Sequence, residues 1–307
     1  MCIRDRIESS GLRDAIAVLF FVAFGVKAAL FPLYFWLPAS YHTPPVAVSA
    51  VFSGLLTKVG IYAIIRVFTL VFPPSVGTPH TLMVIVAALT MVSGVLGAAA
   101  QGGIRRILSV HIVSQIGYIL LGLALFTPLA LTGAIFYLMH NIVVKTNLFL
   151  ISGLMRRAGG SFSLERLGGL YRARPILAVL FLISAFSLAG FPPLSGFWAK
   201  LLLIKAGFDV GLAAAAVVAI LGGFMTIYSM TKIWVEAFWK STPDGVSPPA
   251  AETGKRRLAL YAPVVVLAAV TLVLGLWPAP FLDVAERAAE EVLHPDAYIQ
   301  AVLGDRP

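Results

Sequence analysis

Five ionisable side chains stand where water-free hydrocarbon is expected: Lys27, Lys58, His140, Lys145 and Lys200. Each lies well inside an apolar run, as in AVLFFVAFGVKAALF, SGLLTKVGIYAII, IFYLMHNIVVKTNLF and SGFWAKLLLI. A central Lys in a membrane helix costs about 2.5–3.5 kcal/mol on an insertion scale, so such residues face a bundle interior or a wet cavity and mark ion or proton paths. An amine relays protons only if its neutral form is reachable near neutral pH. Loss of hydration and a nearby cation favour that neutral form, whereas a carboxylate holds the proton in place. A row of such amines with hydrated gaps therefore reads as a proton relay. Arg66 and Lys205 lie nearer the ends of their runs and read as interfacial anchors, and Lys232 and Glu236 can snorkel. His111, five residues after a basic turn, suits an interfacial histidine and a member of the row equally. His42 and His80 read as loop residues.

The backbone around two of these lysines is interrupted. Pro32 follows Lys27 by five residues, and GFPPLSGFW, with Pro192 and Pro193, precedes Lys200. Proline removes a backbone donor and clashes with the preceding turn. The freed polar groups are tolerated at membrane depth only beside protein or a water-filled cavity. Paired interruptions of this kind point to the ion path of a transporter. The order Lys then Pro in one run, and Pro then Lys in the other, suits inverted repeats. No Asp or Glu occupies the centre of any of these runs. The electrostatic partner of the buried cations must then come from another subunit or from polypeptide absent from this chain.

The elements that position these residues are membrane helices. A hydrocarbon core of ~30 Å takes about 20 apolar residues in helix, and eight stretches qualify: 12–37, 45–72, 81–101, 107–127, 129–154, 175–206, 209–238 and 258–280. A barrel is excluded, because barrel strands are short and alternate in polarity. Basic residues gather in alternate connections, with Arg105 and Arg106 in the first. Arg156, Arg157, Arg166, Arg172 and Arg174 lie in the second, and Lys240, Lys255, Arg256 and Arg257 in the third. The connections between them carry no Lys or Arg. Positive charge stays cytoplasmic, which places these three loops inside and both termini outside. Arg4, Arg6 and Arg13 near the N-terminus run against this pattern but are balanced by Asp5, Glu8 and Asp14.

Of 307 residues, 59% are hydrophobic and 12% charged, with mean hydropathy +0.93. That charge is about half of what a soluble domain carries, so a soluble enzyme, a secreted disulfide scaffold and a disordered chain are all excluded. The lone Cys2 offers no disulfide or metal framework. The net charge of +9 is topological and does not imply nucleic acid. The fold class is an all-α polytopic membrane bundle of about eight transmembrane helices, two of them broken. It divides into a stub at 1–11, a membrane domain at 12–280 and a surface tail at 281–307, read as a short amphipathic helix.

Residues 25–72, GVKAALFPLYFWLPASYHTPPVAVSAVFSGLLTKVGIYAIIRVFTLVF, resemble the central signature of the antiporter-like proton-translocating membrane subunits of complex I, membrane-bound hydrogenases and Mrp cation/proton antiporters. GGIRRILSVHIVSQIGYI, HNIVVKTNLFLISG and GFPPLSGFWAKLLLIKAG extend the resemblance to residue 207, and within the family the chain most resembles the D-type component of an Mrp antiporter. The resemblance implies fourteen helices in two inverted five-helix repeats, with the eight spans here matching the seventh to the fourteenth. It makes Lys27 the lysine of the broken seventh helix, Lys58 that of the eighth, Lys145 that of the eleventh and Lys200 that of the broken twelfth. Some relatives carry a histidine four residues before the eleventh-helix lysine; Asn141 stands there in this chain, and His140 is one residue earlier. Lys200 also differs from the glutamate that some complex I subunits place in the twelfth helix.

The family's fifth-helix glutamate, which pairs with the seventh-helix lysine, has no counterpart here, and MCIRDR reads as the start of a truncated or misassembled product. The function implied is that of a proton-translocating subunit of a multisubunit sodium/proton antiporter in a prokaryotic inner membrane. Its partners would be the other subunits, protons, sodium and the lipid bilayer, with no nucleic acid and no cofactor. The alternatives are a proton-pumping subunit of a complex I-like oxidoreductase or hydrogenase, a translocase only in that setting, or an inactive fragment.

Overall fold

Apolar side chains in a continuous run leave the backbone no partner but itself, and in lipid that makes each run a helix. The computed structural model describes residues 10–72, 78–243 and 254–304. Its helices of six residues or more, in order, are α1 (Ser10–Ala28), α2 (Trp36–Tyr41), α3 (Val46–Leu70), α4 (Thr78–Ala99), α5 (Ile104–Leu125) and α6 (Pro128–Gly159). They continue as α7 (Pro175–Ala189), α8 (Ser195–Asp209), α9 (Ala213–Trp239), α10 (Gly254–Leu276), α11 (Ala279–Leu293) and α12 (Asp296–Leu303). Six of them are long and apolar enough to cross a membrane unbroken: α3, α4, α5, α6, α9 and α10, the last from Arg257. The pairs α1–α2 and α7–α8 form the two interrupted spans, so the polytopic bundle with two broken helices stands. Most of the expected 1–11 stub lies outside the described residues, and Ser10 and Gly11 already belong to α1. His80 falls within the first turn of α4, not in a loop, although its side chain is outside the description.

The centre of the bundle is α5, in which every residue but Arg106 is buried. It packs against α4 and α6, and α6 in turn touches α3, α7, α8, α10 and α11. A helix apolar on all sides belongs in such a position. Its neighbour α6 starts cleanly: Thr127 caps the Ala130 amide at 3.2 Å, and Pro128 occupies the first turn, where no amide is needed. Gly160, in the left-handed region at φ +78°, ends it. Large apolar side chains on the outer helices, such as Leu19, Val59, Ile85, Phe224 and Val266, are exposed.

The basic loops meet at one end. The amide of Ile104 donates to Phe162 O at 3.0 Å, and that of Leu164 to Gly102 O at 3.0 Å. The hydroxyl of Thr242 reaches Gly168 O at 3.4 Å. Lys232, read as a snorkelling side chain, donates to Ala99 O and Gln101 O at 3.0 Å each, capping the end of α4. Arg105 is buried and donates to Tyr41 O at 3.3 Å, to Pro44 O at 2.5 Å and to the Ser49 hydroxyl. It therefore ties the loop between α2 and α3 to α5.

The tail differs from its expected form. It folds as two helices, and α11 docks on α6 and α3 with Ala285 and Ala289 fully buried. Beyond it, Arg66 lies 4.4 Å from the centroid of the Tyr298 ring.

Candidate functional site

The second interruption is built around Gly190, which stops α7 at φ +91°, a conformation that glycine adopts without penalty. Pro192 and Pro193 follow in the break, and α8 restarts at Ser195. The last carbonyls of a helix have no in-helix donor, and Lys200 supplies one. Its Nζ donates to Leu188 O at 3.1 Å and to Ala189 O at 2.8 Å. It also lies 5.0 Å from the centroid of the Tyr118 ring, within cation–π range. A cavity of about 210 Å³ adjoins it, lined by Ala189, Gly190, Phe197 and Gly223 among others. Gly196 lets the first turn of α8 close on α7: a Cβ there would overlap Ser187 O and lie 3.0 Å from His140 Cε1.

That close approach joins the break to α6. Ser195 Oγ sits 2.9 Å from Ser187 Oγ and 2.8 Å from His140 Nδ1. His140 therefore reaches the break from α6, while Asn141 turns its amide to Tyr137 O at 3.0 Å. The His140 ring stacks on Tyr137, with centroids 5.5 Å apart. The Tyr137 hydroxyl donates to Gln115 Oε1, and Tyr118 donates to Ala219 O at 2.5 Å.

From there a polar line continues along α5 and α6 to α3. Lys145 is fully buried, and its nearest acceptor is Leu108 O at a long 3.5 Å. One turn along α5, His111 is also fully buried, and neither ring nitrogen has a hydrogen-bond partner. Ser114 Oγ, Gln115 Nε2, His140 Nε2, Asn141 Oδ1, Asn147 Oδ1 and Thr57 Oγ1 are likewise buried without partners. A buried polar atom left unpaired costs about 1–3 kcal/mol. Native interiors accumulate such atoms where ordered water supplies the missing bonds.

At the far end, Lys58 donates to Ser53 O at 2.6 Å. That carbonyl belongs to a π-helical turn, Phe52–Leu56, an interruption that recurs at functional sites. Gly54 in this turn abuts Thr146, the neighbour of Lys145, because a Cβ at 54 would overlap Thr146 Oγ1.

Lys27 stands apart. It closes α1 at the first interruption, where Ala29 is left-handed at φ +63° and Pro32 follows. Gly60 of α3 admits this backbone: a Cβ there would lie 2.6 Å from Ala28 N. Yet the side chain of Lys27 is exposed, on the face of α1 that also shows Phe20 and Ala23. The structure thus brings Lys58, Lys145, His140 and Lys200 into the interior and leaves Lys27 on an outer face. Lys205 is exposed.

No Asp or Glu is buried among the described residues, and no group of His, Cys, Asp and Glu among them could hold a metal. Sequence reasoning underweighted His111 and did not single out Ser187, Ser195, Gln115, Tyr118 or Tyr137. The only signal for these was the presence of neutral polar residues within apolar runs.

A sequence profile described as "NADH:quinone oxidoreductase/Mrp antiporter, TM" matches residues 3–226. The D-type component of the Na(+)/H(+) antiporter of Alkalihalophilus pseudofirmus is 48% identical over 297 residues, covering 97% of this chain and 59% of the relative. Its counterpart from Bacillus subtilis is 42% identical over 300 residues, covering 96% and 59%. The chain thus spans about three-fifths of the length of these curated relatives. Among solved structures, a chain of the Mrp complex from Dietzia sp. DQ12-45-1b superposes with a TM-score of 0.89 at 40% identity, covering 97% of this chain and 62% of its own. A chain of respiratory complex I from Thermus thermophilus with bound NADH gives 0.78 at 26% identity, covering 91% and 58%. With the profile matching well over half of its length, this multi-pass helical membrane chain belongs to the NADH:quinone oxidoreductase/Mrp antiporter membrane-subunit family.

Proposed function

We propose that this chain forms the proton-conducting portion of a D-type subunit in a multisubunit sodium/proton antiporter of a prokaryotic inner membrane. The observation that carries this reading is the buried line Lys58–Lys145–His111–His140–Lys200, whose amines rest on backbone carbonyls and along which several buried polar atoms, both nitrogens of His111 among them, lack protein partners. Ammonium groups held only by carbonyls, with no buried carboxylate among the described residues, can release a proton without breaking an ion pair. Water bridging the unpartnered atoms would carry it between them. At the second break, Ser195 links His140 to Ser187, so a proton arriving at His140 has hydroxyls to pass along toward the Lys200 segment.

Lys27 enters the same scheme from its outer face, with the carboxylate it needs supplied by polypeptide outside this stretch. The sodium specificity rests on the names of the two curated antiporter relatives, and their identity favours this assembly over a complex I-like one, where the similarity is lower.

The test is sodium-driven proton movement in antiporter-deficient membrane vesicles carrying the complete assembly. Lys58→Met and Lys145→Met should each bring flux to background with subunit assembly unchanged. Wild-type flux in either variant would remove that residue from the path.

A further inference from the structure

One buried cation takes no part in the line of amines. Arg105 opens α5 beside the join of the basic loops and is only 5% exposed. Its guanidinium donates to Tyr41 O, Pro44 O and the Ser49 hydroxyl, and it lies 5.0 Å from the centroid of the Phe162 ring. No carboxylate is among these contacts. The same ring carries the guanidinium of Arg156 at 4.9 Å, which adds positive charge.

Two rows of buried polar groups start from this side chain. Along α5, Leu108 is one turn away, and its carbonyl is the acceptor nearest Lys145. His111 follows six residues after Arg105, about 9 Å along the axis. Along α3, Ser49 is one turn from Ser53, whose carbonyl holds Lys58, and both serines are fully buried. Arg105 Nε at the head of these rows and Thr57 Oγ1 next to Lys58 are buried without partners, the condition in which ordered water completes a polar interior. Arg105 thus stands where both rows end, at the basic-loop end of the bundle.

Its chemistry is unlike that of the amines. A guanidinium keeps its protons in proteins, so it cannot pass one on. Its uncancelled charge also repels a second cation. At about 9 Å and an effective dielectric constant of about 20, Coulomb's law lowers the local population of a unit positive charge roughly twentyfold. An arginine acts as such a barrier in water-filled pores. We propose that Arg105 seals the basic-loop end of the proton line, so that protons do not run through it uncoupled from sodium. This inference rests on the reading of Lys58, Lys145, His140 and Lys200 as a proton line. The three neutral acceptors suit the role, because they fix the charge without cancelling it, as a carboxylate would.

The test is the decay of an imposed pH gradient in sodium-free vesicles carrying the complete assembly, followed with a pH-sensitive dye. Arg105→Gln should speed the decay about tenfold or more, whereas Arg105→Lys, which loses the planar fork but keeps the charge, should hold the gradient as wild type does. Adding Lys145→Met to Arg105→Gln should abolish the leak, because the leak runs through the line. Should Arg105→Gln not assemble, Ser49→Asp cancels the charge with the contact kept and should leak, and the equally large Ser49→Asn should not. A tight Arg105→Gln, or a Ser49→Asp no leakier than Ser49→Asn, would overturn the proposal. So would an Arg105→Lys that leaks as much as Arg105→Gln, or a leak that survives Lys145→Met. Lys145→Met alone, read by sodium-driven flux, separates the two levels. If it abolishes that flux while Arg105→Gln stays tight, the seal alone falls; if it leaves that flux intact, the proton line itself falls.

Discussion

Replacing Lys200 by methionine removes a cation while keeping the stem that fills its slot, and the outcome can be worked from two contacts. Nζ donates at 3.1 Å to Leu188 O and at 2.8 Å to Ala189 O, and both carbonyls belong to the terminus of α7, where in-helix donors run out. Hydrogen bonds to charged groups contribute about 1.5–3 kcal/mol each, so the ceiling for losing both is about 6 kcal/mol. Two effects lower it. The adjoining cavity of about 210 Å³ has room for water at about 30 Å³ per molecule, which would hydrate the stranded carbonyls. Removing a buried cation also removes its desolvation cost. The net expectation is a destabilisation of about 1–3 kcal/mol, with sodium-driven proton flux at background. Lys205→Met, on an exposed residue of the same helix, should stay within about 0.5 kcal/mol and conduct normally. Denaturant unfolding of the complete assembly in mixed micelles, read with vesicle flux, measures both. Equal stability of the two variants would show that the ammonium does not hold the break, and the argument for Lys200 would fail.

Three further outcomes follow from other contacts. Gly196→Ala drives a methyl group into Ser187 O, so α8 must shift; a cost of about 1–3 kcal/mol with reduced flux is expected, and a neutral result on both would show that the close approach is not needed. His111→Phe keeps size and removes two unpartnered nitrogens. If the line is wet, flux falls and stability changes little; if it is dry, removing the two polar atoms stabilises the fold by about 2 kcal/mol or more and leaves flux intact. Arg105→Ala releases Tyr41 O, Pro44 O and the Ser49 hydroxyl, and amide hydrogen exchange over residues 42–48 should quicken roughly tenfold to a hundredfold, the equivalent of about 1.5–3 kcal/mol.

The sequence made some features of this architecture plain and hid others for physical reasons. The apolar runs became helices with shifted ends because hydrocarbon leaves the backbone no alternative. The two breaks were visible because proline and glycine interrupt a helix whatever surrounds it. Lys58, Lys145 and Lys200 stood out because a cation within an apolar run has few permissible environments. Which way a side chain faces was harder to read. In a membrane, lipid-facing and protein-facing surfaces are both apolar, so periodicity alone does not say that Lys145 is buried within this stretch while Lys27 lies at its surface. His111 sat close enough to a basic turn to pass for an interfacial residue. Ser187, Ser195, Gln115 and the tyrosines are neutral and carry no charge penalty that would single them out, and the contact of Ser187 with Ser195 depends on the close approach of α8 to α7 at Gly196. The docked α11 was legible as amphipathic, but its partner on α6 was not, since that contact depends on the three-dimensional arrangement of helices far apart in sequence.

A map of the complete assembly at a resolution that shows ordered water tests the proton path most directly. Water should lie within hydrogen-bonding distance of His111, Gln115 Nε2 and His140 Nε2, bridging Lys145 to Lys200 in a continuous chain. A line left dry, with those atoms packed against apolar side chains and the gaps closed, would contradict it.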